Sequence, residues 1–298
     1  MNLINIFKQA NLPIESNIAL APYTSLKIGG AAEYFISIAS KEMLHQVLSL
    51  CHQHQIKYHI LGNGSNTLVL DYGVKGLVIH LGRKFSKIEL LDETTIKCDA
   101  GALLKDVCLF ALDQGLTGME SLYGIPASIG GALYMNAGAY DGEMRDIVKS
   151  CEFIDKDDQL VTFNLAQCEL SYRHSYFMNN PSTIISVTFS LKKGNPLIIK
   201  EKMDDFMLRR ATKQPLDKHS AGSTFKRPPF NYASALIDQC GLKGFSINDA
   251  AVSSKHAGFL INENKASSKD FISLIAYIEA EVYLKTGFKL QPEIQILK

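Results

Sequence analysis

The chain has 298 residues, 31 Lys and Arg against 30 Asp and Glu, a net charge of +1 and 46% hydrophobic residues. So nearly neutral a chain has no electrostatic footprint for a polyanion. Nucleic acid is therefore not expected as a partner, whereas small anionic ligands need only a few local donors. The length suffices for one large core or for two to three small domains around a cleft.

Cysteines stand at 51, 98, 108, 151, 168 and 240, with no C-x-x-C pair and no histidine cluster beside them, so no zinc site is expected. Their scatter through apolar segments reads as reduced core residues of a cytoplasmic protein. The opening Met-Asn-Leu-Ile-Asn-Ile-Phe-Lys is interrupted by polar residues too early for a signal peptide, and no run approaches the roughly 20 apolar residues of a membrane span. The expected protein is cytoplasmic, free of membrane, and a monomer or weak homo-oligomer.

Residues 1–20 read as a short helix and lead-in. From 41 to 56, Met43, Leu44, Val47, Leu48 and Cys51 recur at helical spacing. The apolar runs 58–61, 68–70 and 77–81 read as strands separated by glycine-rich turns, 88–91 and 95–99 as a hairpin, and 103–112 as a helix ending near Gly115. Strands follow at 151–154, 160–163 and 184–191, the last running apolar without alternation as a buried strand does. Lys192-Lys193-Gly194-Asn195-Pro196 breaks the pattern and is the expected domain boundary. Beyond it the sequence predicts a helix ending in Arg209-Arg210, then a long polar loop to Phe230. A final helix opens on a capping box from Ser267 to Asp270, buries Phe271, Ile272, Leu274, Ile275, Ile278 and Val282, and stops at Gly287. The class is mixed α+β with two or three lobes.

The loop Gly62-Asn63-Gly64-Ser65-Asn66-Thr67 lies between two predicted strands. It is no P-loop, because no Gly-Lys-Ser/Thr closes it, and no Rossmann fingerprint, because position 67 is Thr and a strand follows instead of a helix. Such a loop can turn several backbone N–H groups toward one point and bind a diphosphate without lysine, or be a tight connection with Asn and Gly in left-handed conformations. A second small-residue segment runs Gly124-Ile125-Pro126-Ala127-Ser128-Ile129-Gly130-Gly131-Ala132 and on through Asn136 and Ala137 to Tyr140. It reads either as a packed turn or as a smooth backbone surface for a planar ring system.

The pairing of these two segments resembles the FAD-binding fold of the vanillyl-alcohol-oxidase (PCMH) type. More narrowly, together with Thr24-Ser25-Leu26-Lys27-Ile28-Gly29-Gly30, it resembles the UDP-N-acetylenolpyruvoylglucosamine reductase family, from about residue 20 to the C-terminus. The resemblance implies an α+β FAD-binding domain over 21–192, in lobes of about 21–75 and 76–192, and a substrate domain over 193–298. It implies non-covalent FAD held by Gly62, Asn63, Gly64, Ser65, Asn66, Thr67, Gly124, Ile125, Pro126, Ser128, Gly130, Gly131, Asn136 and Ala137. NADPH is then the hydride donor and a UDP-amino sugar the substrate, in peptidoglycan precursor synthesis.

The same resemblance assigns catalytic roles. Ser223, in Ala-Gly-Ser-Thr-Phe-Lys, matches the proton-donating serine; Arg173, in Tyr-Arg-His-Ser, matches the arginine on the substrate carboxylate; Glu293, in Gln-Pro-Glu-Ile, matches the glutamate at the start of the last strand. A hydroxyl is compact enough to reach a forming carbanion, a guanidinium fork fits a carboxylate, and a glutamate helps an anion if it carries a proton. Lys213 aligns with a lysine near the substrate phosphates, with Lys226 and Arg227 adding positive charge. Arg227 stands where other members carry Asn, and the chain lacks the longer tyrosine-bearing loop of one subgroup. His256 reads as a packing residue. The rival readings are an oxidase on the same FAD fold, against which stands the lack of a residue marked for covalent flavin, and a non-enzymatic flavin module, which has no use for Ser223, Arg173 and Glu293 together.

Overall fold

The helical spacing after position 40 produces a helix over Lys41–Gln53 in the computed structural model, which describes residues 3–298. Ser40 starts it by accepting the Met43 N–H on its hydroxyl at 3.1 Å, and Leu44, Val47, Leu48 and Cys51 form its buried face. Strands Tyr58–Leu61 and Val74–His80 pair in parallel, Tyr58 opposite Leu77, around the glycine-rich loop. The hairpin of Ile88–Leu90 and Thr95–Asp99 is antiparallel as expected, and the helix after it spans Leu104–Asp113.

By its internal contacts the chain forms two units. The first takes the chain up to Glu15 with Tyr34–Asn63 and Gly76–Arg209; the second takes Ser16–Glu33, Gly64–Lys75 and Arg210–Lys298. These units are discontinuous in sequence, whereas the expected domains were contiguous, with boundaries at 20/21 and 192/193 and a lobe division at 75/76. Lys192–Lys193 pairs with Leu116–Thr117, and Ile199 and Met203 of the helix Pro196–Lys213 share the core of Phe153 and Phe189. Leu26, Ile28 and Leu68, from segments expected in the first domain, are buried in the other core.

In the first unit a five-stranded antiparallel sheet runs in the order Leu160–Asn164, Val148–Ile154, Thr183–Ser190, Thr95–Asp99, Ile88–Leu90. Its middle strand is buried over Thr183–Val187, matching the unbroken apolar run. All six cysteines of the chain are buried free thiols.

In the second unit His219–Ser223, Phe259–Asn262, Ala250–Val252 and Ser246–Ile247 form an antiparallel sheet in that order. The first of these strands lies inside the expected polar loop. His-Ser-Ala-Gly-Ser has no apolar alternation to announce it, and it exists because Phe259–Asn262 offers an edge. Helices Ala233–Gln239 and Ser268–Thr286 share its core. The second opens on both halves of the capping box, Ser267 accepting from the Asp270 N–H at 3.1 Å and Asp270 from the Ser267 N–H at 2.8 Å, and ends on Gly287 at φ +74°. Ile272 departs from the expected face: it is 39% exposed. The strand Thr67–Val69 pairs in parallel with the C-terminal Gln295–Leu297. No helix among the described residues is long and apolar enough to cross a membrane.

Candidate active site

In the first unit the two small-residue segments meet. Asn63 donates its amide to the carbonyl of Pro126 at 2.7 Å, and a Cβ on Gly62 would fall 2.2 Å from the hydroxyl of Ser128. Segment 124–131 is stitched along the end of strand Thr95–Asp99 and the turn after it: the N–H groups of Ile129 and Gly130 donate to the carbonyls of Ala102 and Ala100, both at 2.8 Å. Ser128 is buried there, while Pro126 and Gly131 stay exposed on the same short run. A side chain at position 62 or 130 would fill the close approach, since a Cβ on Gly130 would sit 2.9 Å from that of Ala100. The backbone of Gly124 and Ile125 closes the preceding turn, the Ile125 N–H donating to Leu122 at 3.0 Å.

Asn136 and Ala137 continue this segment inward. The Ala137 N–H returns to the Ala132 carbonyl at 2.8 Å, and Asn136 is fully buried in a side-chain network with Glu143, Arg145 and Ser171. Arg173 lies on the turn just beyond Ser171, at φ +52° and half-buried, with its guanidinium 5.1 Å from the Tyr172 ring centre. Burial pushes the Tyr134 phenol up from its ordinary pKa.

In the second unit Ser223 and Glu293 come together through the residue between them. Thr224 follows Ser223, and its carbonyl accepts the Glu293 N–H at 2.7 Å; Phe225 bridges to Pro292, and the Lys226 N–H donates to the Gln291 carbonyl at 2.8 Å. Ser223 sits at a bulge, half-buried, its hydroxyl 3.4 Å from the Phe225 carbonyl. Asn66 donates its amide to the Glu293 carbonyl at 3.1 Å, and Thr67 pairs with Gln295. Gly64 has φ +60° and no room for a side chain: a Cβ would meet the Tyr23 carbonyl at 2.1 Å. Ser25 reinforces that contact with its N–H to the Gly64 carbonyl at 3.2 Å. Ser65 is half-buried.

Of the expected cationic residues, Lys213 is exposed at the end of helix Pro196–Lys213, and Arg227 is exposed with its guanidinium 4.4 Å from the Tyr232 ring centre. His256 caps a turn: its Nδ1 accepts the Gly258 N–H at 3.1 Å, its ring edges against Phe259, and burial lowers its pKa, so the ring is a neutral packing group. Sequence reasoning missed Thr224 and Asn262. The buried Thr224 hydroxyl accepts the Leu260 N–H at 3.3 Å, and Asn262 donates to the Leu26 carbonyl at 3.0 Å while accepting from Asn264 and Ala266. A buried polar residue closing an otherwise apolar strand, as in Phe-Leu-Ile-Asn, was the signal for the second.

Residues 32–164 match the model of an FAD binding domain, and residues 214–297 that of the UDP-N-acetylenolpyruvoylglucosamine reductase C-terminal domain. The UDP-N-acetylenolpyruvoylglucosamine reductase of Clostridium novyi (strain NT) is 43% identical over 284 residues, 95% of this chain and 92% of that protein. That of Clostridioides difficile (strain 630) is 41% identical over 297 residues, 100% and 97% of the two chains. The crystal structure of the Thermus caldophilus reductase superposes with a TM-score of 0.84 at 33% identity, covering 96% of this chain and 100% of that one. The chain belongs to the UDP-N-acetylenolpyruvoylglucosamine reductase family.

This member of the reductase family is an FAD-dependent oxidoreductase with the α+β FAD-binding fold that its two small-residue segments announce. The residues present fit the cofactor. Gly62 packs against Ser128 with no space for a Cβ, and Gly131 is exposed beside them, so this small-residue surface is one that a flat group could approach closely.

Proposed function

We propose that this reductase converts UDP-N-acetylenolpyruvoylglucosamine to UDP-N-acetylmuramate in the cytoplasm, with NADPH as electron source, in peptidoglycan precursor synthesis. FAD, when bound, supplies a hydride taken from NADPH to the methylene carbon of the enolpyruvyl group. Ser223 gives a proton to the adjacent carbon, which leaves a saturated lactyl ether. Arg173 and Glu293, the latter carrying a proton, hold the charge that grows on the substrate carboxylate, where preorganised donors are worth most. Lys213, Lys226 and Arg227 serve the diphosphate.

The observation that carries this reading is the 2.7 Å hydrogen bond from the Glu293 N–H to the Thr224 carbonyl, which supports Ser223 and Glu293 acting on one substrate group. The test is anaerobic. The yellow flavoprotein is bleached with NADPH, then mixed with the enolpyruvyl sugar nucleotide, which is expected to restore the oxidised spectrum stoichiometrically. Return of colour with oxygen alone would replace this reading by an oxidase.

A further inference from the structure

Arg173 occupies the left-handed region at φ +52°, a conformation that is unfavourable for a non-glycine residue and persists where the surroundings over-determine it. Ser171 and His174 close the turn on either side of Tyr172-Arg173 with two backbone hydrogen bonds, at 3.2 and 3.1 Å. Beyond the turn, the buried Ser175 donates its hydroxyl to the Tyr134 carbonyl at 2.6 Å. Before it, Ser171 is held through its carbonyl, and the group that holds it is Asn136.

Asn136 has no exposed surface, and its side chain is used at both ends. The amide nitrogen donates to the Ser171 carbonyl at 2.9 Å and to Glu143 Oε2 at 2.8 Å, and Oδ1 accepts the Arg145 N–H at 3.0 Å. Glu143 is itself fixed, its second oxygen paired with the Arg145 guanidinium and its N–H donated to Asp146 at 2.8 Å. A network with two acceptors and one donor converging on one short side chain specifies a carboxamide: aspartate lacks the donors, and leucine lacks all three groups. Both amide protons of Asn136 thus go to the protein's own network, while the Gly138 carbonyl two residues on lies 3.5 Å from the Arg173 guanidinium.

We propose that Asn136 is a positioning residue for Arg173, tying the 171–174 turn to the 138–146 segment so that the guanidinium is presented in one orientation. This rests on the reading of Arg173 as the carboxylate-binding residue. A displacement of about 1 Å at a group acting on the transition state can cost on the order of a hundredfold in rate. Asn136→Ala is accordingly expected to slow the sugar half-reaction by about that factor.

The test is a double-mutant cycle of Asn136→Ala and Arg173→Ala, each as flavin-loaded protein. The rate of flavin re-oxidation by the enolpyruvyl sugar nucleotide is read at saturation after photochemical reduction. A positioning role predicts that Asn136→Ala adds less than twofold once Arg173 is alanine. The same factor in both backgrounds, or no slowing by Asn136→Ala alone, overturns the proposal. If Arg173→Ala by itself leaves the rate unchanged, the reading of Arg173 fails and the proposal with it; if Arg173→Ala slows the rate and the cycle is additive, only Asn136 loses its role. Should Asn136→Ala not yield a folded flavoprotein, Asn136→Ser, whose hydroxyl can serve only part of the network, is run through the same cycle, with the same outcomes deciding.

Discussion

The amide of Asn66 donates to the Glu293 carbonyl at 3.1 Å while its own carbonyl accepts the Gln295 N–H at 2.9 Å, so one residue of the glycine-rich loop brackets the candidate acid. The loop that resembles a diphosphate cradle also seats the last strand. Asn66→Ala removes one of these bonds and leaves the other. It is expected to cost about 1 kcal/mol of stability, the net worth of a typical hydrogen bond. It should also slow the sugar half-reaction by about tenfold, a little over 1 kcal/mol of lost positioning. Chemical denaturation and stopped-flow re-oxidation check the two effects; a stability loss with an unchanged rate would separate Asn66 from Glu293.

Ser223→Ala removes the hydroxyl and nothing of the bulge that carries it, since the backbone of the strand pairs with Phe259. Bleaching by NADPH should proceed at the unmodified rate, while re-oxidation by the sugar nucleotide slows by several orders of magnitude, on the order of 10³-fold or more for loss of a positioned proton donor. Equal slowing of both halves would move this serine from chemistry to folding.

Two glycines with similar backbone angles separate conformation from space. Gly222 has φ +77° with open space around it, whereas Gly64 has φ +60° with the Tyr23 carbonyl 2.1 Å from where a Cβ would be. Gly222→Ala should cost about 1 kcal/mol, the backbone penalty alone. Gly64→Ala adds a clash with backbone and should cost on the order of 3 kcal/mol or more and lower flavin retention. Comparable denaturation midpoints for the two variants would contradict the packing described at Tyr23.

What was legible in the sequence was local. The capping box of Ser267 and Asp270 and the stop at Gly287 lie within one helix, so their partners are a few residues away and the pattern declares them. The unit boundaries were not legible, because Leu26 and Leu68 are claimed by a core formed far along the chain, and the strand His219–Ser223 takes its identity from Phe259–Asn262. The site divides the same way. Ser223 and Glu293 are candidates that the family resemblance implies, but their link through Thr224, and the tie between Asn136 and Ser171, join positions remote in sequence and needed coordinates.

Glu152 carries the clearest pH dependence in the first unit. Burial alone would raise its carboxyl, but Lys97 at 2.5 Å, the Ser186 hydroxyl at 2.8 Å and Lys41 at 3.1 Å outweigh it and bring the pKa from an ordinary 4.5 down to about 2. The folded state therefore holds its proton less tightly than the unfolded chain does. The stabilisation is complete above pH 4.5, is lost as the pH falls toward 2, and is gone below that. Glu152→Gln keeps the shape and drops the charge, leaving Lys41 and Lys97 facing one another. At neutral pH it should cost about 1–2 kcal/mol, between the limits for exposed and buried pairs. Denaturation midpoints taken from pH 7 to pH 2 should show the two proteins converging as the pH drops through that window. Curves that stay parallel would mean that the lysines are neutralised by other groups and that this carboxylate is not what ties helix Lys41–Gln53 to the sheet.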